Sequence, residues 1–317
     1  MLDTAVANTG VGFRSTHQYD YQDTIITAQK INWRIEDIIG GDKKLDSSKP
    51  FMPESLARVE ELSFLNDDEK RTLNHIRANA YLSIFGVVEE FILPFVLDHV
   101  RPSLDKDDYR VRALLQFAGE EAKHIQLFKM FREEFNDGFG SECEVIGPGP
   151  AVAKEILAHD PLSVALVILH IEWMTQGHYI GSIKDDNDLD PQFKSLLKNH
   201  WLEEAQHAKL DTNMVAWLAE GRSREEIEKA VDGYLAIGAF LDGANEQQTK
   251  FDLDSFERAT GRVLTEDERF EFFKVQLQAN RWTYLGSGMT HPKFLDTLEE
   301  LGPEHRARIE EVAPMFS

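Results

Sequence analysis

Apolar side chains along most of this chain recur at intervals of three and four residues, the spacing of a single helix face. Few runs alternate with period two, so little sheet is predicted. The first fifty residues are mixed and polar, with a helix predicted over Tyr19–Ile39 and a linker over Gly40–Pro53. Beyond Pro53 the helical pattern is almost continuous. Asn66 or Asp67 precedes a long run from Asp68 to Val100, and Pro102 and Asp105 break it. A second run covers Asp107–Phe135, followed by a Gly- and Pro-rich loop from Asn136 to Pro150. Asp160-Pro161 and Asp190-Pro191 each read as an N-cap with proline at the first helical position. They open helices reaching Ile183 and Glu220, the second stopped by Gly221. Further helices are predicted over Ser223–Leu241, Asp252–Thr260, Thr265–Leu285 and His291–Val312. The pattern describes an all-α protein in three parts. An N-terminal helical or extended segment (1–65) precedes a four-helix core (66–220), and C-terminal helices (221–317) pack on that core.

One internal repeat carries chemistry. Glu120-Glu121-Ala122-Lys123-His124 returns as Glu203-Glu204-Ala205-Gln206-His207, each copy in mid-helix. Positions three apart lie about 60° apart on a helix, so Glu-x-x-His aims a carboxylate and an imidazole the same way. Leu114, Phe117, Ala118, Ile125 and Phe128 surround Glu121 and His124 on an apolar stripe. Leu197, His200, Trp201, Ala208 and Val215 surround Glu204 and His207. Glu120 and Glu203 fall about 100° away, which points them towards the rim. Buried carboxylates and imidazoles are costly unless paired or metal-bound. Two inward Glu-x-x-His copies are the device by which ferritin-like bundles hold two metal ions, with a Glu from each of the other two helices. Glu89 lies inside the stripe of Tyr81, Phe85, Ile92 and Val96, with Glu90 as the alternative on the polar side. Glu172 is surrounded by Ala165, Ile168, Leu169, Gln176 and Tyr179.

His200 shares the face of Glu204 and His207 and would add a third nitrogen donor; the bland alternative is a hydrogen-bonded core histidine. Asp211, one turn after His207, suits an acceptor for an imidazole N–H. Tyr179 suits a pocket wall, a proton donor or a radical site, with plain packing as the simpler role. His170 and His178 fall off the Glu172 face. His17, His75, His99, His159, His291 and His305 show no ligand spacing and read as structural or surface residues.

Composition narrows the function. The chain has 317 residues and a formal net charge of −22, which argues against a nucleic-acid groove or a basic membrane patch. Its single cysteine, Cys143, excludes an intramolecular disulfide and a cysteine-held cluster and fits a reducing cytoplasm. No uninterrupted apolar run approaches about 18 residues, so no membrane span is expected. The first residues lack the basic and apolar regions of a signal peptide. There is no nucleophile-elbow, P-loop or dinucleotide glycine motif. A carboxylate-rich donor set disfavours zinc.

Over roughly Leu73–Glu220 the ordered set Glu89, Glu121-x-x-His124, Glu172, His200-x-x-x-Glu204-x-x-His207 resembles the ferritin-like di-iron carboxylate superfamily. Within it the set looks most like the p-aminobenzoate N-oxygenase family. The resemblance implies a di-iron centre of three histidines and four carboxylates, with Glu121 and Glu204 as bridges, that uses O2 to oxidise arylamines. Two iron ions, or manganese in their place, would then act with an external electron donor on a small amine or aromatic substrate. The competing expectations are a desaturase or oxidase acting on an acyl or aldehyde substrate, and a non-enzymatic iron store. The C-terminal helices would cover the bundle or form a homodimer contact.

Overall fold

The computed structural model describes residues 12–15 and 19–317; His17 and the first eleven residues lie outside them. The fold is an all-α bundle, and no strand forms among the described residues. Three short helices come first: α1 (Tyr21–Ala28), α2 (Ile35–Ile38) and α3 (Glu54–Ala57). The four bundle helices are α4 (Asp67–Val100), α5 (Asp108–Phe139), α7 (Pro161–His178) and α8 (Pro191–Ala219), with α6 (Gly149–Ile156) between the two pairs. The C-terminal part holds α9 (Arg224–Thr260), α10 (Glu266–Arg281), α11 (Ser287–Met289), α12 (Pro292–Leu301) and α13 (Pro303–Val312).

Local chemistry sets these boundaries. Asn66 and Glu69 form a reciprocal capping box at the start of α4, and Ser223 with Glu226 does the same for α9. The carboxylates of Asp160 and Asp190 accept from Leu162 N and Phe193 N, so both Asp-Pro pairs act as helix starts. At the C-terminus of α5 the chain turns through Gly140 at φ +76°, where a Cβ would be strained.

Four predicted boundaries differ from the structure. The helix expected over Tyr19–Ile39 is two pieces, since residues 29–34 leave the helical path between α1 and α2. The loop expected over Asn136–Pro150 is shorter, because α5 continues to Phe139 and α6 begins at Gly149. The two helices expected over 223–260 are one. The polar stretch between them turns Asn245, Gln248 and Thr249 to the interior: Gln248 Nε2 donates to Asp252 Oδ1 at 2.8 Å, and Thr249 Oγ1 accepts from Asn280 Nδ2 at 2.9 Å. A polar run that reads as a loop is therefore a buried hydrogen-bonded face, joined by the Arg77–Asp252 ion pair at 3.5 Å. The last predicted helix breaks at Gly302, because the residue before a proline is driven out of the helical region.

Helix α4 packs on α5, α7 packs on α8, and α5 meets α8 across the core. Helix α9 lies against both α4 and α7, and α10 lies on α9. The N-terminal segment is tied to the bundle. Asn74 of α4 accepts from Phe51 N and Met52 N at 2.8 and 3.0 Å, and Asn213 of α8 accepts from Tyr19 N at 2.8 Å. By length and composition alone, the stretch Asp67–Ser103 could cross a membrane, but 56% of its most apolar window is buried inside the protein. That stretch also buries Asn74, Arg77, Asn79 and Glu89.

Candidate metal centre

The four bundle helices bring the seven ligand candidates into one buried cluster. Glu89 comes from α4, Glu121 and His124 from α5, Glu172 from α7, and His200, Glu204 and His207 from α8. Each is at most 3% exposed. Glu90, the alternative to Glu89, faces outward and pairs with Lys129 at 2.9 Å.

The donors fall into two overlapping groups. One donor atom each from Glu89, His124, His200 and Glu204 lies within 4.8 Å of the others, and the same holds for Glu121, His124, Glu204 and His207. Glu121 places Oε1 at 2.9 Å from His207 Nδ1 and Oε2 at 3.5 Å from His124 Nδ1. Glu204 places Oε1 at 2.8 Å from His200 Nε2 and 3.1 Å from His124 Nδ1, with Oε2 at 3.2 Å from His207 Nδ1. His124 and Glu204 therefore belong to both groups, whereas Glu121 belongs only to the second. Glu172 belongs to neither group; its carboxyl faces Glu204, with His207 and Glu121 nearby.

Many of these approaches lack hydrogen-bond geometry. Glu89 Oε2, both Glu121 oxygens, Glu172 Oε2, Glu204 Oε1 and His124 Nδ1 are buried without a hydrogen bond. Convergent buried lone pairs left unpaired are destabilising unless a cation sits between them. Four carboxylates carry up to four negative charges, which two divalent cations would balance. Oxygen and imidazole donors in this ratio fit iron or manganese.

The imidazoles are fixed from behind by two carboxylates that helical phase alone pointed away. His124 Nε2 bonds Glu203 Oε2 at 2.8 Å, and His207 Nε2 bonds Glu120 Oε2 at 2.9 Å. Each copy of the repeat thus supplies the acceptor for the other copy's histidine. With Nε2 carrying the proton, Nδ1 is left free to face the carboxylates. Glu203 is 1% exposed and also accepts from Lys123 Nζ, whose ammonium lies 3.6 Å from the Trp33 ring centroid. The expectation that Glu120 and Glu203 point to the rim is corrected here. An offset of about 100° from the core centre aims a long side chain at the neighbouring helix. The available signal was the doubled Glu in both copies of the repeat.

Asp211 does not take the role of imidazole acceptor. It is buried, and neither oxygen makes a hydrogen bond. Tyr179 opens a π-helical turn after α7 and stacks on Trp201, with ring centroids 4.4 Å apart.

Electrostatics follow from burial and crowding. Burial works against the charged form of His124, but Glu121, Glu203 and Glu204 outweigh it and hold its pKa well above the ordinary value. His207 is raised in the same way against its burial, by Glu204, Glu121 and Glu120. Burial raises Glu172, and the neighbouring Glu204 raises it further. Burial also pushes Asp211 up, and His207 only partly offsets it. His200 is lowered by burial. Aromatic rings close the site: Phe117 lies 4.2 Å from His207, Phe128 lies 5.0 Å from His200, and Trp33 stacks parallel to His124 at 6.0 Å.

No family model matches the chain, and no curated protein matches it. Among solved structures, a Tyr-to-Phe variant of an R2-like ligand-binding oxidase with anaerobically reconstituted Mn/Fe cofactor is 13% identical, with a TM-score of 0.46. That match covers 83% of this chain and 93% of the other. A Val-to-Ala variant of an R2-like ligand-binding oxidase, also anaerobically reconstituted with Mn/Fe, matches at 13% identity and TM-score 0.46, over 84% of this chain and 93% of that one. A Gly-to-Phe variant with aerobically reconstituted Mn/Fe cofactor matches at 14% identity and TM-score 0.41, over 83% and 96%.

Proposed function

We propose that this protein is an O2-dependent oxidoreductase built on a di-metal centre, with iron, or manganese in its place, as the resident metal. The observation that carries the reading is the set of buried, hydrogen-bond-free donor atoms from Glu89, Glu121, His124, Glu172 and Glu204 converging in the bundle core. Glu89, Glu121, His124, Glu172, His200, Glu204 and His207 would together hold the metal pair. A bound metal pair would supply O2 reduction and oxygen transfer, chemistry that no side chain here can perform alone. Glu120 and Glu203 hold the Nε2 protons of His207 and His124, which keeps each ring in the tautomer and orientation a ligand needs. Phe85, Phe117 and Phe128 keep bulk water from the donors. Asp211, raised by burial beside His207, can hold a proton in the core.

The finer reading is N-oxygenation of an arylamine, supported by the third nitrogen donor, His200, on the Glu204 face. The balance is ArNH2 + O2 + 2e⁻ + 2H⁺ → ArNHOH + H2O, so an external reductant must supply two electrons per turnover. Anaerobic loading with Fe(II), elemental analysis, and O2 consumption with an arylamine and a chemical reductant test both levels. Two metals per chain and a hydroxylamine product are expected. A reproducible single ion per chain refutes the di-metal reading. Oxygen consumption without N-oxidised product refutes the finer one.

A further inference from the structure

A separate cavity of about 100 Å³ lies between α4, α6, α7 and α9, closed by the turn holding Tyr284 and Leu285 and by Met289 of α11. It lies one side chain from the metal ligands. Phe85 forms part of its wall, and the same ring meets His200 edge-on with centroids 5.7 Å apart. Val88 and Ile171, also in the wall, directly precede Glu89 and Glu172 in unbroken helices.

The lining has a distinct chemistry. No Asp, Glu, Lys or Arg side chain contributes to it. His170 has both ring nitrogens engaged by the protein, Nδ1 by the Tyr234 hydroxyl at 2.8 Å and Nε2 by the Tyr284 carbonyl at 3.3 Å. One polar group is unmatched. Asn245, 3% exposed, lines the cavity, and its side-chain nitrogen is buried without a hydrogen bond. Engineered apolar cavities of roughly 150 Å³ admit benzene. The cavity here is somewhat smaller, and the adaptable side chains of Met174 and Met289 form part of its wall.

We propose that this cavity binds the ring of a neutral aryl substrate, whose one hydrogen-bond acceptor takes the N–H of Asn245, on the far side of Phe85 from His200. The proposal rests on the oxidoreductase reading above and names its substrate class. An ionised carboxylate or ammonium would enter without a counter-charge and is disfavoured by its unpaired desolvation. Aryl ethers, and arylamines whose acceptor is a group other than the reacting nitrogen, meet the requirement; benzoates do not.

The test is calorimetric titration of the full chain, metal-free and iron-loaded, with anisole, toluene and benzoate. Anisole should bind about tenfold more tightly than toluene, the worth of one hydrogen bond, and benzoate should not bind measurably. Asn245→Leu should abolish the advantage of anisole over toluene while leaving toluene binding and thermal stability intact, since that N–H has no protein partner to lose. Ala244→Phe, at the half-buried rim, should weaken both ligands at least tenfold with metal content unchanged; Leu241→Trp gives the same reading should Ala244→Phe fail to fold. Benzoate binding equal to anisole, or anisole binding unchanged in the rim variants, overturns the proposal. Aryl binding to the metal-free chain is independent of metal count, so the cavity and the metal centre fail separately.

Discussion

Replacing Glu203 by alanine tests the cross-bracing between the two repeat copies. The substitution removes an acceptor that is 1% exposed and that takes the His124 Nε2 proton at 2.8 Å. It also strips Lys123 of its carboxylate partner. A hydrogen bond to a charged group contributes about 1.5–3 kcal/mol, and leaving the buried imidazole N–H unpaired adds a desolvation cost of similar size. Loss of a carboxylate behind a ligating histidine typically weakens metal affinity 10–100-fold. Glu203→Ala should therefore lower iron affinity by that range in chelator competition and lower the melting temperature of the metal-free chain. Glu203→Gln keeps an oxygen acceptor and should recover part of the loss. Glu120→Ala should be milder, because the Glu120 side chain is 13% exposed and water can reach the vacated Nε2 of His207. Wild-type iron affinity in Glu203→Ala, or greater damage from Glu120→Ala than from Glu203→Ala, would refute the reasoning.

Two further outcomes are expected. Glu89→Ala should cost at least one metal per chain by elemental analysis, whereas Glu90→Ala, which loses only its outward pair with Lys129, should retain both and change stability by less than about 1 kcal/mol. Acid stability should reflect His170 and His178, whose pKa values burial pushes down to about 4 and about 3 from an ordinary 6.5. Both favour the folded state above pH 6.5, and that contribution is lost as pH falls through 6.5 towards 4 and 3, about 1.4 kcal/mol per pH unit for each group. Urea midpoints of the metal-free chain should fall over that range, and His178→Gln should flatten the slope; an unchanged slope would show that His178 is not a buried neutral group.

The helical phase of each Glu-x-x-His, and the placement of Glu89 over Glu90, could be read from the sequence because a core helix sorts its residues by angle. The apolar stripe around Phe85 marks Glu89 as inward, and Glu89 is indeed buried while Glu90 meets Lys129. Phase alone does not tell how far a side chain reaches between helices. Phase therefore puts Glu120 and Glu203 at the rim, although each extends to a histidine on the facing helix. The continuous α9 was obscured for a related reason. Asn245, Gln248 and Thr249 read as a polar interruption before Asp252, yet all four are buried, and Gln248, Thr249 and Asp252 bond to other groups of the protein. Polarity in a sequence reports the need for hydrogen bonds, and water is only one of the groups that can meet it.

The same distinction separates the two buried polar regions of this bundle. Around Arg77 and Asp252 the protein supplies its own partners: Asn280 accepts from Arg77 and donates to Thr249, and Gln248 donates to Asp252. Burial raises Asp252 to about 6, yet the facing guanidinium keeps it paired. Between α4, α5, α7 and α8 the partners are missing. Glu121 is fully buried with neither oxygen hydrogen-bonded, while the imidazoles of His124 and His207 turn their Nε2 atoms away to Glu203 and Glu120. A core that satisfies one polar cluster from within and aims the lone pairs of another at a common point is one in which folding and cation binding are coupled: whatever binds there stabilises the bundle by its own binding free energy. The helices that carry no ligand then have a physical role, since α9 covers α4 and α7, the helices that bring Glu89 and Glu172 to the site.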